Sequence, residues 1–284
     1  MRILSLFAAI ILGAVFPQGH VWAFLIRYAL MIMLFFAFLD INIKRSVLKV
    51  SHLWILLANG LIAAGSYGVV YLFSPQLAPT AFITGIMPTA VAATVIIGFL
   101  RGETSYVVFA VLLTNVAVAL LLPFILPFII VTDTPVQTLD IVIPVFTVIL
   151  LPLFIALISR RMFPVLVDKL IPFRPYTFYL FAANVYLATA RASQFIRYDL
   201  ESGWEIVGMI ALLTFGIFVL NFLIGNWIGF PSQRYEGQQA LGRKNTMFGI
   251  WVALTFIGPL AALGPVTYIL FQNIFNSYQM WKVK

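Results

Sequence analysis

The sequence predicts an all-α membrane protein of ten transmembrane helices, laid out as two inverted five-helix repeats. Three observations predict it. Apolar runs of about 20 residues recur without period-2 alternation, which fits helices and not barrel strands. Basic residues collect in alternate connections between those runs. Interruptions fall at matching places in the two halves of the chain. The 284 residues are 63% hydrophobic and 9% charged, and no water-soluble domain of this size hides so much apolar side chain.

The spans follow in order, with boundaries good to about three residues. The first, 3–17, has a basic start and a short apolar core, like a secretory leader. No small-x-small cleavage site follows, so it reads as a retained helix. "FPQGHVW" reads as a tight turn into 22–40. The third span is 53–74, and "SPQLAP" leads into the fourth, 78–100. "RGET" then opens the fifth, 104–131, and "VTDTPVQT" separates it from the sixth, 139–160. The remaining spans are 173–196, 205–229, 237–260 and 263–281, punctuated by "GFPSQ" and "LGP".

Charge orients this count. With the N-terminus inside, the inner segments hold Arg2, Lys44, Arg45, Lys49, Arg101, Arg160, Arg161, Lys169, Arg174, Arg234, Arg243, Lys244, Lys282 and Lys284. The outer ones hold mainly acids: Asp133, Asp140, Asp199, Glu201 and Glu205. This is the positive-inside pattern, and it predicts a multi-pass plasma (inner) membrane protein with both termini cytoplasmic. The net charge of +8 belongs to those loops and not to a nucleic-acid site. Trp22, Trp54, Trp204 and Trp281 fall near span ends as interfacial anchors, and His20 and His52 read as interfacial too. Arg27 and Arg191 lie towards the outer ends of the second and seventh spans and read as snorkelling.

Five spans per half is odd, so the second half (134–284) must insert upside down relative to the first (1–133). The fourth span, "TAFITGIMPTAVAATVIIGFLRG", is interrupted by Gly85 and Pro88. The ninth, "GQQALGRKNTMFGIWVALTFIGP", is interrupted at Gly242 and is unusually polar through Asn245. Each is the fourth of its five. Proline removes a backbone donor and glycine permits a non-helical turn, so both spans are expected to unwind and to cross.

Two stretches resemble a known family. "MPTAVAATVIIGFLRGETSYVVFAVLLTNVAVALLLPFILP" is similar to the fourth and fifth spans of bile acid:sodium symporters, and "GFPSQRYEGQQALGRKNTMFGIWVALTFIGPLAALGPVTYILFQNIFNS" to their ninth and tenth. The resemblance extends through "FFAFLDINI" and the ten-span plan to nearly the whole chain. It implies a panel of spans 1, 2, 6 and 7, a core of spans 3–5 and 8–10, two sodium ions behind the crossing of spans 4 and 9, and an organic anion in front of it.

The departures fall on the residues that define the symporter. Pro88 and Asn245 match the family residues, while Thr89 and Ala90 stand where two glycines are. Ala93 and Thr94 stand at the sodium-binding Ser-Asn pair, Val107 and Val111 at hydroxyl ligands, and Ala240 near the ligand Glu. Arg243 and Lys244 take the places of a hydrophobic residue and a Gln. Sodium needs hard oxygen ligands, and of these side chains only Thr94 supplies one. Two cations about 6 Å away would repel a sodium ion by several kcal/mol at an effective dielectric near 20. Arg243 and Lys244, with Thr94 beside them, are therefore expected to replace the ions. They can also be read as ordinary positive-inside residues snorkelling from the end of the ninth span.

The resemblance and the interruptions together give Thr89, Asn245, Thr246, Gln272 and Asn273 as substrate-binding candidates, with Pro88 and Gly242 as helix breaks. The expected function is secondary transport of a small organic anion by alternating access, independent of sodium. Sodium-coupled symport, or a channel or sensor on the same fold, stays open beside it. No Asp-rich magnesium motif, HExxH motif or Ser/His/Asp set is present, so an enzyme is not expected, nor is a metal or other cofactor. There is no cysteine. The expected partners are the lipid bilayer and the carried anion.

Overall fold

The computed structural model describes residues 2–39, 48–130, 137–198 and 203–283. The charges at Lys44, Arg45, Asp133, Asp199, Glu201 and Lys284, used above for orientation, lie outside the described residues. Within them the chain is helical, and the one β-type pairing is an isolated bridge. Four helices are long and apolar enough to cross a membrane: α3 (Val50–Phe73), α6 (Thr104–Ile129), α7 (Thr138–Met162), and α10 (Gly203–Ile228) from Trp204 onward. That marks a helical membrane protein. Shorter helices are α1 (Arg2–Val15), α2 (Leu25–Phe38), α4 (Ala78–Ile86), α5 (Ala92–Phe99), α8 (Pro164–Leu170), α9 (Thr177–Tyr198), α11 (Arg234–Gly242) and α12 (Thr246–Val252). The chain closes with α13 (Pro259–Val283).

Some expected turns are helical. "FPQGHVW" is not a tight turn, because Pro17–Trp22 winds into a 3-10 helix with Pro17 at its start. At the expected start of the seventh span, Ile171–Tyr176 is also a 3-10 helix. Proline is tolerated in the first turn because its missing N–H would have no intrahelical partner there.

The chain forms two compact units. Unit 1 comprises 1–42 and 119–200, and unit 2 comprises 43–118 and 201–284. Each unit therefore draws helices from both sequence halves. In unit 1, α9 satisfies the open C-terminal carbonyls of α1. Ser193 Oγ and Arg197 Nη2 both donate to Ala14 O, at 3.0 and 2.5 Å, and Tyr186 Oη donates to Phe16 O at 3.2 Å. Gly13 allows this approach, since a Cβ there would stand 2.7 Å from Tyr186 O.

Unit 2 packs α3, α4, α5, α10, α11 and α13 around a core that includes Ile55, Ile97, Tyr106, Phe218, Phe222 and Tyr268. His52 belongs to this interior and not to an exposed interface, with 1% of its surface accessible. Its Nδ1 accepts from Lys49 N at 3.3 Å and its Nε2 donates to Tyr106 O at 3.0 Å, so the ring ties the first turn of α3 to α6. The link from α5 to α6 ends α5 in a Schellman motif. Gly102 N donates to Ile97 O and Arg101 N to Gly98 O, with Arg101 in the left-handed region at φ 59°.

Candidate functional site

Two interruptions meet inside unit 2. Met87–Val91 separates α4 from α5, and Arg243–Asn245 separates α11 from α12. The two non-helical strips lie antiparallel. Ala90 N donates to Arg243 O at 2.8 Å and Asn245 N to Pro88 O at 2.7 Å, with Thr89 opposite Lys244. Each strip thus satisfies backbone groups that unwinding frees in the other. Pro88 contributes only its carbonyl, so its missing N–H costs the pairing nothing.

The two glycines act differently from the expectation. Gly242 does not turn the chain through a left-handed conformation. It is the last residue of α11, and the described glycine with positive φ is Gly258. Its missing Cβ makes room for Phe222, whose ring would lie 2.6 Å from it. Gly85 lies within α4, before the interruption. A Cβ there would stand 2.7 Å from Ala63 Cα, so Gly85 sets the close approach of α4 to α3.

Side chains from α3, α6 and α13 fix the paired strips. Thr89 is saturated: its hydroxyl donates to Ala240 O at 2.5 Å, its N–H donates to Thr114 Oγ1 at 3.0 Å, and its carbonyl accepts from Asn115 Nδ2 at 3.1 Å. Asn245 Oδ1 caps α12 by accepting from Phe248 N at 3.2 Å. Tyr268 Oη, from α13, donates to Gly242 O at 2.7 Å. Thr246 is buried, and its N–H returns to Lys244 O at 2.9 Å. Gln272 is buried with its Oε1 unpartnered, and Asn273 O accepts from Ser277 Oγ at 2.9 Å. The Thr94 hydroxyl stays in its own turn, donating to Val91 O at 2.8 Å, and Lys244 bonds Asn59 and Gly85 instead.

Both cations are inside the protein. Lys244 is 1% and Arg243 5% exposed. Lys244 Nζ donates to Asn59 Oδ1 in a short contact and to Gly85 O at 3.0 Å. Asn59 is held in turn by its own Nδ2, which donates to Ile86 O at 3.0 Å. One helix thus presents an acceptor to the ammonium while securing the frayed end of α4. The sequence reading missed Asn59, whose signal was a lone amide in an otherwise apolar span. Arg243 has Tyr268 as an ionisable neighbour, and Arg243 Nε and Nη1 have no hydrogen-bond partner. Neither cation is paired with a carboxylate among the described residues. No family model matches the chain, and no curated protein does.

The four positions expected from the resemblance to stand at sodium ligands are apolar and buried. Ala93, Val107, Val111 and Ala240 are each at most 2% exposed. Their side chains offer no oxygen to a hard cation. A second polar cluster lies at the start of α11, where Glu236 Oε1 accepts from Glu103 N at 2.7 Å. Glu103 Oε2 accepts from Lys49 Nζ and from Gln233 Nε2, both at 3.0 Å. Lys49 holds the Glu103 carboxyl below its ordinary value; burial opposes it next in size, and Ser105 and Gln233 add smaller lowering effects.

Proposed function

We propose that the protein is a secondary transporter of a small organic anion, working by alternating access without sodium, with a fixed cation of the Arg243–Lys244 pair standing where related transporters would hold an ion. The observation that carries this reading is the bonding of Lys244 Nζ. It takes two neutral oxygens, Asn59 Oδ1 and Gly85 O, beside a paired break of two helices. Carbonyl-type oxygens at an unwound helix are what a monovalent cation takes in a transporter core. Here an ammonium takes them, and a covalently attached cation needs no gradient.

The proposal includes ten spans in two inverted repeats, 1–133 and 134–284, both termini cytoplasmic, in the plasma (inner) membrane. Four long apolar helices and the two short-helix pairs, α4–α5 and α11–α12, support it. A carried anion suits a site whose charged groups are both positive. Sodium-coupled symport is disfavoured by the apolar side chains of Ala93, Val107, Val111 and Ala240.

The test is counterflow in proteoliposomes with labelled organic acids, in choline and then in sodium buffer. Exchange at equal rates in both is expected. Uptake that requires a sodium gradient would replace this reading by symport. Conductance without counterflow would indicate a channel, and neither activity a sensor.

A further inference from the structure

We infer that Arg243 holds a small monovalent anion inside unit 2, either a halide ion or the carboxylate of a carried molecule, and that this anion supplies the counter-charge the chain lacks. The inference rests on the charge and the unpartnered donors of Arg243, and only its carboxylate arm rests also on the transport reading.

Two cations, adjacent in sequence, are buried together. The described acids are Glu103, Asp140, Asp168, Glu205 and Glu236. None is paired with Arg243 or Lys244. The nearest in sequence, Glu236, lies seven residues back, about 10 Å along the helix. Its Oε1 is already committed to Glu103 N. An uncompensated charge in an apolar interior costs several kcal/mol, so it persists where something offsets it.

The two cations have different means of relief. Lys244 has acceptors, and a lysine can also lose its proton. Arginine keeps its charge in proteins, so only an anion neutralises it. The free atoms on Arg243 are Nε and Nη1, both N–H donors, which select an acceptor and refuse a metal ion. Water could accept from either donor, but it would leave the charge in place. Tyr268 does not compensate, because its hydroxyl donates to Gly242 O. Phe222 closes on the neighbouring Gly242 and keeps the surroundings apolar, which strengthens the attraction for an anion. With 5% of the residue accessible, an anion held against the guanidinium would be largely shielded from water.

The experiment uses the purified full-length chain in detergent. Its melting temperature is measured in potassium isethionate, a sulfonate and neither a halide nor a carboxylate, and then with isethionate replaced by chloride, bromide, formate or acetate at constant ionic strength. A saturable rise of about 5 °C is expected when a fitting anion reaches about 100 times its Kd. The rise should vanish in Arg243→Gln and persist in Lys169→Met. A response to halides marks a resident ion, a response to carboxylates marks the charged end of a carried molecule, and either supports the inference. If Arg243→Gln does not fold, Arg243→Lys serves, and its half-saturating anion concentration should rise at least tenfold. No anion-specific rise in the wild type, or the same response in the Arg243 variants, overturns the inference. Either failure leaves sodium-independent transport standing, since that is read separately by counterflow.

Discussion

Replacing Asn59 by Leu removes an acceptor from a buried ammonium while keeping the same heavy-atom branching. Two bonds are lost, the one from Lys244 Nζ to Asn59 Oδ1 and the one from Asn59 Nδ2 to Ile86 O. A hydrogen bond to a charged group contributes about 1.5–3 kcal/mol and a neutral one about 1 kcal/mol. The substitution should therefore destabilise unit 2 by about 2.5–4 kcal/mol, a fall of roughly 10 °C in melting temperature. In a Lys244→Met background there is no ammonium to strand, and Asn59→Leu should cost only about 1 kcal/mol. The coupling between the two positions is then about 2–3 kcal/mol, readable from a double-mutant cycle on reversible unfolding in mixed micelles. A coupling below about 0.5 kcal/mol would refute the claim that Asn59 binds a charged Lys244.

Three further outcomes can be checked on the same preparation. Gly85→Ala drives a Cβ to within 2.7 Å of Ala63 Cα, and prying α4 from α3 should destabilise by about 1–3 kcal/mol in the same unfolding assay. Arg101→Gly relieves a left-handed residue at φ 59° and should stabilise by about 1 kcal/mol, raising the melting temperature. Glu103 is held below its ordinary value of 4.5, so its contribution is present above that value and is lost as the pH falls through its depressed one. Melting temperature against pH should show that acid limb in the wild type and a weaker one in Lys49→Met.

The helical character and the places of interruption were legible because they follow from local rules. Long apolar runs demand helices, and Pro88 lies in the strip that is not helical. The partners of Lys244 were not legible. Asn59 is 185 residues away in sequence, and an isolated amide in an apolar helix says nothing about which element it faces. Glycine was the most misleading letter. Gly85 and Gly242 suggested backbone freedom, yet the fold uses the absence of their side chains, a property set by Ala63 and Phe222 far along the chain. Thr94 bonds locally, its hydroxyl donating to Val91 O, while the acceptors that Lys244 takes come from Asn59 and Gly85.

The pairing of the two strips is written entirely in main-chain atoms: Pro88 O, Ala90 N, Arg243 O and Asn245 N. No side chain at 89, 243 or 244 takes part in it. The pairing itself therefore makes no demand on those side chains, as a hinge is indifferent to what is mounted on it, although Ala240, Asn59 and Gly85 are fitted to the ones present. A lineage could exchange an ammonium for an amide, or a guanidinium for a methyl group, and keep the same scaffold while changing what it couples to. That freedom makes position 244 a place where new energetics can evolve without the fold being reinvented.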